Sequence, residues 1–523
     1  MASDTPSSAP PRRSPGRLSQ LAGQSVIYGL GGTLARLAGV FLVPVYLAAA
    51  GTEAFGEAEL VVSAVAVAAI ALRLGIVNSM SRFTLAESPT GDWRPVIHTI
   101  YGFVLAASTT AAVVGLLARE QIADALQVSE TLAVAGVAGL WIVMNYDVLA
   151  RVYRIERRPK AFVAFQLTNV AITVVLTIIL VVVYDYGAVG LLVGNFAGTA
   201  VVFLAMLWAR RSTVGVTRFE RPLLGELLRY SIPLMPTNLA IWALNFADRL
   251  QVQRLASPEE LGEYAAAAKV AAGMTLFLAA FQSAWTPFAH ALRGEEGDEV
   301  AKQTYAEVFT FWSVVMGWGL VALTVASAPY IELTFPEGAR EDAIPVVPLL
   351  ATGVVLYGIY LIVNIGVTIS KRTQWTPFIA GFAGAVTVGL NFLFIPAFGI
   401  VGAGITTVIG FALLAGLQWA NARRMWRVDY EWSRVARIAV VAAVIVALSL
   451  WVVPVTGVLG LVGRAVLIAV YPLGLLAVRA VSRDDLRRIP GALSAARRRR
   501  GRRGDEDDAA DVTPGRGRAP PRR

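Results

Sequence analysis

Apolar runs of about 20 residues or more recur along the whole of this chain, separated by short polar connectors. A run of that length, coiled as a helix, crosses about 30 Å of hydrocarbon. In hydrocarbon each backbone N–H and C=O must be bonded inside the protein, and a helix does this within its own segment. The chain is therefore expected to be an all-α polytopic membrane protein. Composition agrees: 56% of its 523 residues are hydrophobic and 16% are charged, whereas soluble domains carry about 25% charged residues.

The pattern predicts about fourteen spans, near 22–49, 54–82, 95–118, 128–150, 161–184, 187–209, 229–256, 259–291, 303–328, 342–370, 374–396, 400–422, 435–453 and 456–478. Connectors alternate in charge. Basic ones include 151–160, with Arg151, Arg154, Arg157, Arg158 and Lys160, then 210–229, Lys371-Arg372 and 423–427. Those between, such as 184–187 and 257–260, carry no Lys or Arg. Of 46 Lys and Arg, about 38 fall on one side, 2 on the other and 6 within helices. The positive-inside rule then places both termini in the cytoplasm of a multi-pass protein of the cytoplasmic (inner) membrane, which needs an even number of spans. The first stretch ends in Ala48-Ala49-Ala50-Gly51, like a signal-peptide cleavage site. It is about twice the length of such a segment's apolar region and carries Arg36 in its middle, so cleavage is not expected.

Two short patterns occur twice. Gly51-Thr52-Glu53-Ala54-Phe55-Gly56-Glu57-Ala58 returns as Ser257-Pro258-Glu259-Glu260-Leu261-Gly262-Glu263-Tyr264, an offset of 206. Gly187, Val189, Gly190 and Gly198 return as Gly399, Val401, Gly402 and Gly410, an offset of 212. Each octet marks the turn between two apolar runs. Agreement of the two offsets implies a duplicated unit, the usual plan of secondary transporters, with the binding site between the halves near the bilayer midplane. The expected layout is a disordered cytoplasmic N-terminus (1–21), a first six-helix bundle (22–210), a cytoplasmic linker (211–228), a second six-helix bundle (229–423), two extra transmembrane helices (424–480) and a disordered basic tail (481–523). The tail holds Arg497 to Arg503 and then Asp505 to Asp508. Contact with anionic lipid headgroups would be worth about 1 kcal/mol per basic residue; a solvated stop-transfer tail is the simpler reading. Nucleic-acid binding is not expected of a membrane-tethered tail without interleaved aromatics.

Several chemistries are excluded or disfavoured. There is no Cys, so there is no disulfide, thiolate nucleophile or Cys-based metal site. His occurs only at 98 and 290, which argues against a His metal cluster. None of the four lysines follows a phosphate-binding Gly loop, so ATP hydrolysis by this chain is not expected. No cofactor, metal or enzymatic activity is expected.

What stands out is charge inside the apolar runs, which costs at least about 2.5–3.5 kcal/mol per residue near the bilayer centre and so usually faces a cavity or a partner. Arg36 is near the middle of span 1, on one face with Ser25, Gly29, Gly32 and Gly39. Arg73 is in span 2 toward the cytoplasm, followed by Asn78 and Arg82. Span 7 opens with Pro233 and Pro236 and carries Asn238, Asn245, Asp248 and Arg249; span 8 carries Lys269. These are the first two helices of each repeat, expected to face each other across a central cleft. With Asp248 as the one acid against Arg36, Arg73, Arg249 and Lys269, the cleft is read as cationic and suited to a phosphate or diphosphate. Other readings compete. Asp248 and Arg249 point about 100° apart. Asp248 and Lys269 can form a structural pair, with Asp248 otherwise a candidate for ion coupling. Arg73 is close enough to the surface to snorkel. Asp147 reads as an i,i+4 partner of Arg151, and Arg254 and Arg464 as reaching the interfaces.

The chain resembles the Wzx-type oligosaccharide flippases of the multidrug/oligosaccharidyl-lipid/polysaccharide (MOP) exporter superfamily. The resemblance lies in Gly75-Ile76-Val77-Asn78-Ser79-Met80-Ser81-Arg82-Phe83, Leu228-Arg229-Tyr230-Ser231-Ile232-Pro233-Leu234-Met235-Pro236, Asp248-Arg249, Leu261-Gly262-Glu263-Tyr264, Ala284-Trp285-Thr286-Pro287 and Gly399-Ile400-Val401-Gly402-Ala403-Gly404, in order over about 22–425. It implies a V-shaped pair of six-helix bundles that alternates between inward- and outward-open states. It implies that an undecaprenyl-diphosphate-linked glycan is flipped to the outer leaflet for cell-surface polysaccharide synthesis, with membrane lipids, a polysaccharide polymerase and glycosyltransferases as partners. Basic residues of spans 1, 2 and 8 would hold the diphosphate, here Arg36, Arg73 and Lys269, with Lys in place of the expected Arg in span 8. Spans 13 and 14 resemble the extra pair of lipid II flippases, which help form a groove for the lipid tail. Two rivals stand beside this. A drug antiporter of the same superfamily usually needs membrane carboxylates for cationic drugs, and here they are few. A multi-pass glycosyltransferase or polysaccharide ligase needs a sizeable outer loop, and the longest here runs only from about 328 to 344.

Overall fold

The computed structural model describes residues 39–481 apart from 86–91, 157, 336–339 and 371. The expected N-terminal segment, Arg36 and the basic tail lie outside the described residues. Every regular element among those described is helical. In chain order the first eight are α1 Gly39–Ala50, α2 Thr52–Leu72, α3 Ile76–Leu85, α4 Arg94–Leu117, α5 Arg119–Leu126, α6 Glu130–Ile155, α7 Pro159–Ile178 and α8 Gly187–Ala209. The remainder are α9 Arg221–Ser231, α10 Met235–Leu255, α11 Pro258–Ala271, α12 Met274–Glu296, α13 Asp298–Thr334, α14 Arg340–Ile369, α15 Thr376–Met425, α16 Trp432–Trp451 and α17 Gly457–Ala477.

The all-α polytopic class is therefore observed. Ten helices among the described residues are long and apolar enough to cross a bilayer, eleven if α11 and α12, bent by 44°, form one span. This differs from the expected fourteen for identifiable reasons. Most of span 1 is outside the described residues. α10 is diluted by its own polar residues. α15 runs through two expected spans and reverses at Gly399, where φ is 55°.

Helix interruptions fall where the sequence places Gly and Pro. α2 ends at Arg73; Leu74 and Gly75 then adopt positive φ (48° and 70°) before α3 begins. Span 7 enters through α9 and a 3-10 turn, Ile232–Leu234, that contains Pro233. Broken helices of this kind are tolerated at membrane depth where the freed backbone lines a cavity or is buried in protein.

α2 occupies the middle of the molecule. It packs on α6 and α8 from the expected first repeat and on α10 and α11 from the expected second. Its crossing with α11 is made by the equivalent glycines of the two octets. A Cβ on Gly56 would stand 2.5 Å from Pro258 O and 2.7 Å from Gly262 N, and one on Gly262 would strike the backbone of Thr52. Only glycine permits backbones to approach so closely. The same end of the molecule is tied by two further bonds. Arg254 Nη2 donates to Ala125 O at 2.7 Å, and Tyr330 Oη donates to Val40 O at 2.7 Å. One apolar core runs through both repeats at this crossing, with Phe55, Leu60, Leu261 and Tyr264 all buried.

α16 and α17 pack against α13. Arg464, expected at the interface, is instead 3% exposed. Its guanidinium donates to Val325 O at 3.0 Å and Ser449 Oγ at 3.1 Å, so the buried cation staples the hairpin to α13. The linker between the repeats is held by His98 on α4. Its Nε2 lies 3.2 Å from Thr213 O, and its Nδ1 accepts the Arg218 N–H at 3.2 Å. Those two bonds require the neutral imidazole with the proton on Nε2. Asp92 accepts the Arg94 N–H and pairs with Arg218, which together hold its carboxyl below the usual carboxylate range.

Candidate functional site

Two cavities lie beside α10, one on each side of Asn245 and Phe246. The first, of about 320 Å³, is between the repeats. Its polar walls are Arg73 and Asn78 from the broken span 2, Arg151 from α6, and Asn238 and Asn245 from α10; Trp242 and Phe246 close it. Its arginines are at the end of the helices from which the basic connectors leave. Asn245 is ten residues into α10, about 15 Å along its axis, which puts the cavity's far wall near the middle of that helix.

The polar side chains of this cavity are partly engaged. Arg73 Nη1 donates to Asp147 Oδ2 at 2.6 Å, while Arg73 Nε is buried without a partner among the described residues. Arg73 is thus held in place rather than snorkelling to the surface. Asp147 was expected to pair with Arg151 on its own helix; it pairs with Arg73 because α6 packs alongside α2. Arg151 instead reaches Asn78 Oδ1 at 3.3 Å and lines the cavity. Sequence reading had assigned Arg151 to a cytoplasmic connector, on charge alone. The lining contains two cations and no carboxylate among the described residues. Its volume is at the lower end of small-molecule pockets, which span about 300–1,000 Å³.

The second cavity, of about 330 Å³, is inside the second repeat, between α10, α11, α12, α14 and α15. Asp248 and Arg249 line it, 4% and 8% exposed. Tyr264 Oη donates to Asp248 Oδ2, and the Arg249 N–H donates to Asp248 Oδ1 at 2.9 Å. Arg249 Nη1 donates to Asn245 O at 2.9 Å and lies 3.7 Å from Asp248 Oδ1. Its guanidinium sits over the Phe246 ring at 4.8 Å, and its Nε is buried without a partner among the described residues.

Lys269 is in neither lining. It projects from α11 toward α2, where Nζ meets Glu59 Oε1 at 2.6 Å, below the glycine crossing. The pair considered in the sequence, Asp248 with Lys269, does not form. The partner of Lys269, Glu59, not among the charges singled out from the sequence, is seven residues into α2, and its side chain is only 17% exposed. So the structure gathers Arg73, Asn238 and Asn245 about one cavity, Asp248 and Arg249 about the other, and commits Lys269 elsewhere.

This architecture is shared with solved polytopic membrane transporters. The chain superposes on the lipid II flippase MurJ in an inward closed conformation with TM-score 0.69, covering 86% of this chain and 98% of that one at 14% identity. An inward-facing multidrug resistance MATE family transporter of the MOP superfamily gives TM-score 0.57, covering 82% of this chain and 96% of that one at 18% identity. Its family's outward-facing conformation gives 0.54, covering 81% and 96%, also at 18% identity. At these identities the likeness is one of fold. Residues 51–299, a little under half of the chain, match the family described as polysaccharide biosynthesis protein, which supports the resemblance to Wzx-type flippases read from the sequence. No curated protein sequence matches the chain.

Proposed function

We propose that this protein carries a lipid-diphosphate-linked oligosaccharide from the inner to the outer leaflet of the cytoplasmic membrane by alternating access, and that the cavity between the repeats receives the diphosphate. The observation that carries this is the pair Arg73 and Arg151, set with Asn78, Asn238 and Asn245 around one cavity whose described lining has no acid. Arg is suited to phosphate because its planar fork donates in pairs and never loses its charge. Arg73 keeps an unspent buried donor for that purpose. Arg36, deep in span 1, is proposed to add a third cation from the first repeat. The halves 22–210 and 229–423 are proposed as the moving bodies, with both termini in the cytoplasm.

The crossing of Gly56 and Gly262 closes the octet end, which the distribution of basic residues assigns to the outside. The cavity would then load from the cytoplasmic leaflet in this state. A cationic drug finds little here. Glu59 is bonded to Lys269, and Asp248 is bonded to Tyr264 and Arg249. The test is flipping in proteoliposomes with a defined polyprenyl-diphosphate glycan. Transport by the unaltered chain, reduced at least about tenfold by Arg73→Gln or Arg151→Gln at equal protein level, is the expected result. Full transport by both variants would remove the cavity from the mechanism.

A further inference from the structure

The cavity inside the second repeat is not used by the diphosphate reading, yet it adjoins that site. Asn245 and Phe246 line both spaces. A group seated on Arg73 and Arg151 and extended toward α10 would reach these two residues, the wall that the second cavity shares. That cavity has the two features by which proteins hold sugars, flat apolar faces and a few fixed polar groups. Phe246 and Tyr357 line it, with Tyr357 packed against Phe411 at 5.7 Å between ring centroids.

Its polar groups are unequal in what they have left to offer. Both oxygens of Asp248 are taken by the protein, one by Tyr264 Oη and the other by the Arg249 N–H. Arg249 spends Nη1 on Asn245 O, while Nε is buried and unpartnered among the described residues. A guanidinium 8% exposed with a donor unspent is an unfinished interaction. The cavity therefore has a charged donor to give and no free carboxylate to receive. A plain hexose, whose hydroxyls can serve as donors or acceptors, answers this only weakly. A carbonyl-type oxygen answers it fully.

The geometry points to this second cavity as a sugar subsite, in which Arg249 selects a glycan residue bearing a planar C=O oxygen: the carboxylate of an acidic sugar or the acyl oxygen of an N-acylated one. It rests on the flippase reading above, since the two spaces are treated as one continuous site. Arg249 is then the specificity-determining residue of the second repeat, with Tyr357 and Phe411 as the apolar wall beside the sugar ring. A site built around a donor discriminates strongly against an analogue that lacks the acceptor, because the donor is then left unpaired.

The experiment uses the full chain in proteoliposomes and three probes that differ in one sugar. These are polyprenyl-diphosphates carrying a hexose, an N-acetylhexosamine or a hexuronate. The unaltered protein should move at least one acceptor-bearing probe about tenfold or more faster than the hexose probe. Preference for the hexuronate alone assigns the acid; preference for both acceptor-bearing probes assigns the shared C=O oxygen. Arg249→Gln should flatten the ranking, and Arg249→Lys should preserve a preference for the hexuronate only. Equal rates for all three probes in the unaltered protein would overturn the inference and leave the flippase reading intact, and this arm requires no variant to fold. An equal loss on all probes in Arg249→Gln would also overturn it, by making Arg249 a general anchor. If no diphosphate probe moves at all while other lipids do, it is the flippase reading that fails.

Discussion

Gly262→Ala is the most informative single change, because its effect should depend on conformational state. A Cβ at Gly262 would meet Thr52 C at 2.7 Å with Thr52 O closer still, and its counterpart on Gly56 would meet Pro258 O at 2.5 Å. Carbon contacts normally lie at about 3.5–4.0 Å, so α2 and α11 must part by about 1 Å. The obstacles are backbone atoms, which cannot turn aside as a side chain would. Overpacking of this kind costs about 1–3 kcal/mol. In a state where the octet ends have separated, the methyl meets nothing and costs little. The strain would then load one side of the conformational equilibrium, shifting it by about five- to 150-fold, at a factor of ten per 1.4 kcal/mol. The chain has no native Cys, so spin labels at Glu53→Cys and Glu259→Cys report only on each other. Both positions line one surface pocket at the octet end. Gly262→Ala should move the label distance distribution toward longer separations, and Gly56→Ala should do so as well. An unchanged distribution in both variants would show that the crossing is not the closure of a moving gate.

Three further outcomes are expected. Glu59→Gln or Lys269→Gln alone strands a partly buried charge, at a cost below the 3–5 kcal/mol or so of a fully buried pair because Lys269 is 33% exposed; the double variant should be more thermally stable in detergent than either single one, and simple additivity would refute the pairing. Asn391, fully buried, donates to Gln251 Oε1 at 2.7 Å and accepts from Thr406, so Asn391→Leu should lower stability by about 1–3 kcal/mol, read as an earlier thermal transition. Reporter fusions after Lys160 and after Arg483 should both report cytoplasm, and an external signal at either would overturn the proposed topology.

Much of the fold was determined by the sequence alone, and for one physical reason. A bilayer leaves an apolar run of 20 residues almost no choice but a helix, so hydropathy settles the elements without knowledge of their neighbours. Loop charge acts one segment at a time in the same way. The two octets even marked the central crossing, since their equivalent glycines, Gly56 and Gly262, are the points where α2 and α11 meet. The polarity of Arg73, Asn238 and Asn245 in apolar surroundings marked them as cavity residues before any packing was known. What only the tertiary structure decided is who faces whom. Periodicity along one helix says which residues share a face, and nothing about the helix that lies opposite. Arg73 meets Asp147, 74 positions away, and Lys269 meets Glu59 from the other repeat. Asp248 is satisfied by Tyr264 one helix on, and Arg151 turns from a presumed loop charge into a cavity wall. Each partnership depends on rotations and depths of two helices packed side by side. A charge in a membrane must find a partner, but which partner it finds is a property of the bundle.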